Sequence, residues 1–131
     1  MITKFKVFEG IRDKMTPKSK EDILKNIDGN PTVTFKRIHI EVTSTFLIGE
    51  IEANYYDLLQ LFGEPSEEEW IGNNFHWSLE SSKGNYITIY DNNSGMEGYE
   101  LMDVDYHWHI GGTDKADFND LAYYIYNHTL D

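Results

Sequence analysis

Asp103, Asp105, His107 and His109 stand two residues apart along one stretch of chain, and imidazoles with carboxylates can ligate a divalent cation or exchange protons with a substrate. In an extended chain all four emerge on one face, yet neighbours two apart lie about 7 Å from each other. Adjacent pairs can chelate, but four cannot converge without a bulge. A solvated strand face is therefore the preferred reading, and no metal and no cofactor are assigned. His76 and Glu80 make a second acid–base pair on another alternating stretch. With no nucleophile, phosphate-loop lysine or oxyanion donor beside them, no residue is assigned as catalytic.

Three further features point to binding. Gly111, Gly112 and Thr113 close an alternating segment and open a helix, a place where unpaired amides and the helix dipole favour a phosphate. Asp114 already brings a negative charge to that turn, which makes an ordinary capped turn the plainer reading. Tyr86, Tyr90 and Tyr106, with Trp70, can stack a nucleobase at roughly 1–3 kcal/mol per base, although aromatics at alternating positions also serve a core or an interface. Arg37 is a cation placed to receive phosphate. The candidate ligand-binding set is thus Arg37, Trp70, His76, Tyr86, Tyr90, His107, His109, Gly111, Gly112 and Thr113.

The elements that must position these residues follow from periodicity. Thr16 and Pro17, with Ser19 and Asp22 in capping-box spacing, predict a helix over 17–27 carrying Ile23, Leu24 and Ile27. Asp28, Gly29, Asn30 and Pro31 end it. Before it, residues 1–15 alternate charges with Phe5, Val7, Phe8 and Ile11, the pattern of an arm or short helix docking on the body. From Thr32 the period becomes two: Val33 to Val42 and 46–53 read as strands, expected to pair as a hairpin through the Ser44 region. Asn54 and Asp57 cap a short helix with Tyr55, Leu58, Leu59 and Phe62, stopped by Gly63 and Pro65. Phe75, Trp77 and Leu79, then Ile87 and Ile89 about a turn at 82–84, predict a second antiparallel pair. Val104, Tyr106, Trp108 and Ile110 mark a fifth strand, and Phe118, Leu121, Ala122 and Ile125 a closing helix.

Five strands with helices after the second and the fifth predict an α+β two-layer sandwich. It has a five-stranded, mostly antiparallel sheet with two helices on one face, a helical N-terminal head (1–30) and a body (31–131) in one compact domain. Alternation assigns His76, Ser78, Glu80, Tyr86, Thr88, Tyr90, Asp103, Asp105, His107 and His109 to the face away from the helices. That face is aromatic enough to predict homo-oligomer formation.

Composition narrows the classes. The 131 residues include no cysteine, which excludes disulfides, thiolate metal sites and cysteine nucleophiles. Neither a signal peptide nor an apolar run near the roughly 20 residues of a membrane span is read. The net charge of −12 divides unevenly: residues 1–37 hold nine Lys and Arg against five acids, and residues 38–131 hold Lys83 and Lys115 against eighteen acids. A basic head on a strongly acidic body disfavours duplex nucleic acid as a partner.

Leu61 to Pro65 (Leu-Phe-Gly-Glu-Pro), the aromatic stretch Phe75 to Trp77, Ile-Tyr-Asp at 89–91, Trp-His-Ile-Gly-Gly at 108–112 and a closing helix, taken in that order, resemble a family of small, uncharacterised tailed-bacteriophage proteins over roughly residues 43–128. The head, with Phe8-Glu9 and residues 12–19, is similar to N-terminal segments that recur on unrelated phage proteins, some of them like prohead-targeting peptides. His76 and the Gly98 loop depart from the family pattern. The resemblance implies a phage origin and a fold, with no defined catalytic residues; from that origin, size and aromatic content a phage accessory, anti-defence protein in the host cytoplasm is expected. The leading expectation is a sponge that binds and sequesters a nucleotide-derived immune signal without catalysis. An acidic interaction inhibitor or DNA mimic directed at a host defence protein is the alternative, and a hydrolase of such a signal ranks third.

Overall fold

The computed structural model describes residues 19–39, 42, 45–66, 75–91 and 105–130. Expectations that fall on residues 1–18, 67–74 and 92–104, including the N-terminal arm, Trp70 and Asp103, lie outside the described residues. In chain order come α1 (Lys20–Lys25), β1 (Phe35–Ile38), β2 (Phe46–Asn54), α2 (Tyr55–Phe62), β3 (His76–Ser81), β4 (Tyr86–Tyr90), β5 (Asp105–Gly112) and α3 (Lys115–Thr129).

The helix boundaries have local causes. The Ser19 hydroxyl accepts from the Asp22 amide (3.2 Å) to start α1, which ends at Lys25 with Asn26 as its C-cap, two residues short of the expected Ile27. The Asn54 side chain accepts from Asp57 N (2.9 Å) at the head of α2, and Gly63 stops that helix at φ 79°, a left-handed conformation open to glycine. Asp114 accepts from Ala116 N (2.9 Å) and caps α3.

The strands form one antiparallel five-stranded sheet in the order β1-β3-β4-β5-β2, so the chain is an α+β protein as its periodicities predict. Period-two alternation turns Trp77, Leu79, Ile87, Ile89, Trp108, Ile110 and Ile51 toward the helices, where all are essentially buried with Leu58, Leu121 and Ile125. Trp77 and Trp108 meet edge to face at 5.3 Å. Each spends its one donor on a backbone carbonyl, Trp77 on Gly63 O (2.9 Å) at the end of α2 and Trp108 on Ala53 O (2.8 Å) in β2. The Trp77 indole therefore ties α2 to the sheet as well as filling the core.

One expected pairing is overturned. β1 and β2 do not form a hairpin; they occupy opposite edges of the sheet. Four successive antiparallel pairings leave them parallel, and a two-residue hairpin cannot join parallel strands. The register aligns Ile38, Ser78, Thr88, Gly111 and Leu47 in one row, so the chain from Ile38 to Leu47 must cover four strand spacings, about 19 Å. Thr45 shows the side on which it arrives. A Cβ on Gly111 would stand 2.5 Å from Thr88 Oγ1 and 3.0 Å from Thr45 Oγ1, on the face away from the helices. Val42, in the same connection, is buried yet is not part of the helix-side core. β1 is also shorter than the predicted run, and Arg37 sits beside Leu79 on the helix side while Ile38 sits beside Ser78 on the other.

Candidate functional site

The sheet face away from the helices carries the polar rows, and the row of Ser78, Thr88 and Gly111 divides it. Ser78 and Thr88, expected in solvent, are 4% and 2% exposed. On one side of their row lie Lys36, Glu80 and Tyr86; on the other lie His76, Tyr90, His109 and Glu50, then His107 and Glu52. Tyr86 and Tyr90 therefore sit two rows apart with Thr88 between them, and do not form one stacking platform. The Tyr86 side borders a shallow depression of about 340 Å³ lined by Thr34, Lys36, Glu80, Ser81, Ser82 and Gly84.

The other side is a compact imidazole–carboxylate cluster. Antiparallel pairing sets His109 beside Glu50 and His107 beside Glu52. His107 Nε2 lies 3.1 Å from Glu52 Oε2 and its Nδ1 3.7 Å from Glu50 Oε1, while His109 Nε2 lies 3.2 Å from Glu50 Oε2. Glu52 is 1% exposed, whereas the Glu50 side chain is 49% exposed. Tyr90 turns its ring edgewise to His109 at 5.5 Å, and burial pushes its phenol pKa up. His76 is the cross-strand neighbour of Tyr90. Among the described residues no group of three or more His, Asp or Glu is placed to hold a metal ion. The cluster joins two imidazoles to two carboxylates across the β2–β5 pairing.

The other candidate residues are used by the fold. Arg37 points to the helix side, where its guanidinium donates to Phe62 O (3.3 Å), Glu64 O and Ser66 Oγ (3.2 Å). It caps α2, and burial lowers its pKa. Gly111 and Gly112 are not a helix-start turn. They are buried positions inside β5, paired with Leu47 and Phe46. The crossing chain explains Gly111, and Gly112 leaves room for Ile48, whose Cδ1 would lie 2.6 Å from an added Cβ. Thr113 is exposed between β5 and the Asp114 cap.

Glu50 and Glu52 escaped the sequence reading. Alternation with Ile51 and Ala53 marks them as a polar side of β2, but nothing in the sequence says that this side lies beside His107 and His109. A second cluster was missed on the helix side of the molecule. Lys83, in the β3–β4 turn, reaches Asp120 (2.9 Å) and Asp117 (3.6 Å) on α3. Asn85 Nδ2 donates to both Asp117 oxygens (3.1 and 3.2 Å), and the Asn30 amide donates to Asp120 (2.8 Å).

The chain matches no protein-family model and no curated protein. No helix among the described residues is long and apolar enough to cross a membrane.

Proposed function

We propose that the protein works by binding, and that its partner is a basic surface on another protein. One observation carries this reading: three of the four described Lys and Arg of the body are engaged within the fold. Arg37 is held by carbonyls at the end of α2, Lys83 by Asp117 and Asp120, and Lys115 by Ile48 O at 2.8 Å while lying over the Phe118 ring; Lys36 is largely exposed, 3.6 Å from Glu80. An anionic ligand finds few receivers there. Exposed acids such as Asp28 and Glu64 remain available to a cationic surface, and long-range attraction would speed that encounter. In the anti-defence setting expected from the sequence, the partner is a host defence enzyme with a nucleic-acid groove.

The leading expectation from the sequence, a nucleotide sponge, is kept as a second reading because His76, Tyr90 and His109 share one row. They offer a short aromatic and imidazole surface to a base. A thermal-shift panel of linear and cyclic nucleotides separates the two. The lead reading expects no shift, together with capture of a basic bacterial protein whose association weakens steeply as salt rises. A nucleotide that raises the melting temperature and is recovered intact after denaturation decides for the sponge, and one recovered chemically changed decides for a hydrolase.

A further inference from the structure

We propose that the depression beside Tyr86 binds a free α-amino acid with an aromatic side chain. Of the four described Lys and Arg of the body, three are engaged within the fold. The fourth, Lys36, keeps 74% of its side chain exposed and lines this depression. Beside it stands the Glu80 carboxylate, 3.6 Å from Lys36 Nζ on a side chain that is 29% exposed. An exposed pair at that separation adds little to the fold and is readily parted. A simple anion drawn to Lys36 would meet Glu80, and a simple cation drawn to Glu80 would meet Lys36. A ligand with both charges on adjoining carbons satisfies the two side chains at once.

Sheet geometry sets the rest of the ligand. Lys36, Glu80 and Tyr86 stand side by side across β1, β3 and β4, about 4.8 Å from strand to strand. Cation, carboxylate and ring follow one another in the order in which an α-amino acid presents its carboxylate, its ammonium and an aromatic side chain. Tyr86 is 45% exposed, which leaves ring surface for stacked or edge-to-face contact. Ser82 Oγ accepts from the Thr34 amide at 3.0 Å, and its own proton can turn to a ligand carboxylate. The depression, about 340 Å³, lies at the small end of the roughly 300–1,000 Å³ common for ligand pockets, a size for one amino acid. The inference goes beyond the proposed protein partner and stands or falls apart from it.

Amide chemical shifts of the full chain, followed by NMR as L-phenylalanine is added, test it. Saturable shifts are expected at Lys36, Glu80 and Tyr86 and in the 82–84 turn, with a Kd of about 1 mM or below. 2-Phenylethylamine, which lacks the carboxylate, and 3-phenylpropionate, which lacks the ammonium, are each expected to bind at least about tenfold more weakly. Lys36→Gln and Glu80→Gln should weaken L-phenylalanine to the same degree, and Tyr86→Ala by at least about threefold. No saturable shift up to about 20 mM, or shifts centred elsewhere, overturn the proposal. Equal binding of either single-charge analogue also overturns it, because the depression then reads only one charge or the ring. Should a variant fail to fold, the analogue titrations on the parent chain decide.

Discussion

The two faces of the sheet are written with the same two-residue alternation, yet they are covered by different means. On the helix side, large apolar side chains meet three helices and exclude water by bulk. On the other side, Ser78, Thr88 and Gly111 are small and stand side by side in one row, and Thr45 comes down beside Thr88 close to the backbone of Gly111. Alternation identifies the sides of a strand; a polar side can still be interior when the chain itself passes over it. The contrast also separates two polar clusters. The one at Lys83 holds an ammonium group between two buried carboxylates, and the one at His107 sets two imidazoles beside one buried and one half-exposed carboxylate.

The sharpest test of the comparison is unequal truncation. Trp108→Ala is expected to cost about 3–5 kcal/mol in denaturant unfolding, through the cavity it leaves and the lost bond to Ala53 O. Gly111→Ala, a change that adds one carbon, is expected to cost about 1–3 kcal/mol because Thr88 and Thr45 must move apart. A cost near zero would mean that the connection does not press on that row. Asp120→Ala removes the acceptor of both Lys83 and the Asn30 amide, and should destabilise by about 1–3 kcal/mol. His107→Ala, in the more exposed cluster, should cost about 1 kcal/mol or less by the same measurement.

The Lys83 cluster also makes a pH prediction. Hydrogen bonding to Asp120 raises the Lys83 pKa above its ordinary 10.5. A raised amine contributes stability that is fully present below its unfolded value and lost as pH rises through the folded value. Melting temperature should therefore fall more steeply above pH 10.5 in the parent chain than in Lys83→Met. Parallel curves would show that Lys83 adds nothing beyond packing.

Much of this architecture was legible in the sequence. Asn54 with Asp57, Gly63, the turn at 82–84 and the alternation of 75–80, 86–90 and 106–110 gave the elements and their inward sides, since capping and burial are local demands. The order of strands was not legible. Val33 to Val42 and 46–53 adjoin in sequence and alternate alike, and nothing local distinguishes a hairpin from a crossing to the far edge. Every misplacement in the candidate site follows from that gap. Arg37 was assigned to a ligand although the cap of α2 takes its donors. Gly111 and Gly112 read as a phosphate turn although close chain approach explains them, and Glu50 and Glu52 were passed over because their neighbours were unknown.

The opposite placement of β1 and β2 bears on the order in which the molecule can assemble. Among the described residues, β3 and β4 are the strands joined by a tight turn; β1 finds β3, and β2 finds β5, across long stretches of intervening chain. Closing such loops costs entropy before any contact rewards it. The central hairpin can form early and alone, whereas the two edges arrive late and already tethered to each other. Placing one edge shortens the search of the other, so the last steps of folding are a concerted closing of both borders over a centre that is already laid.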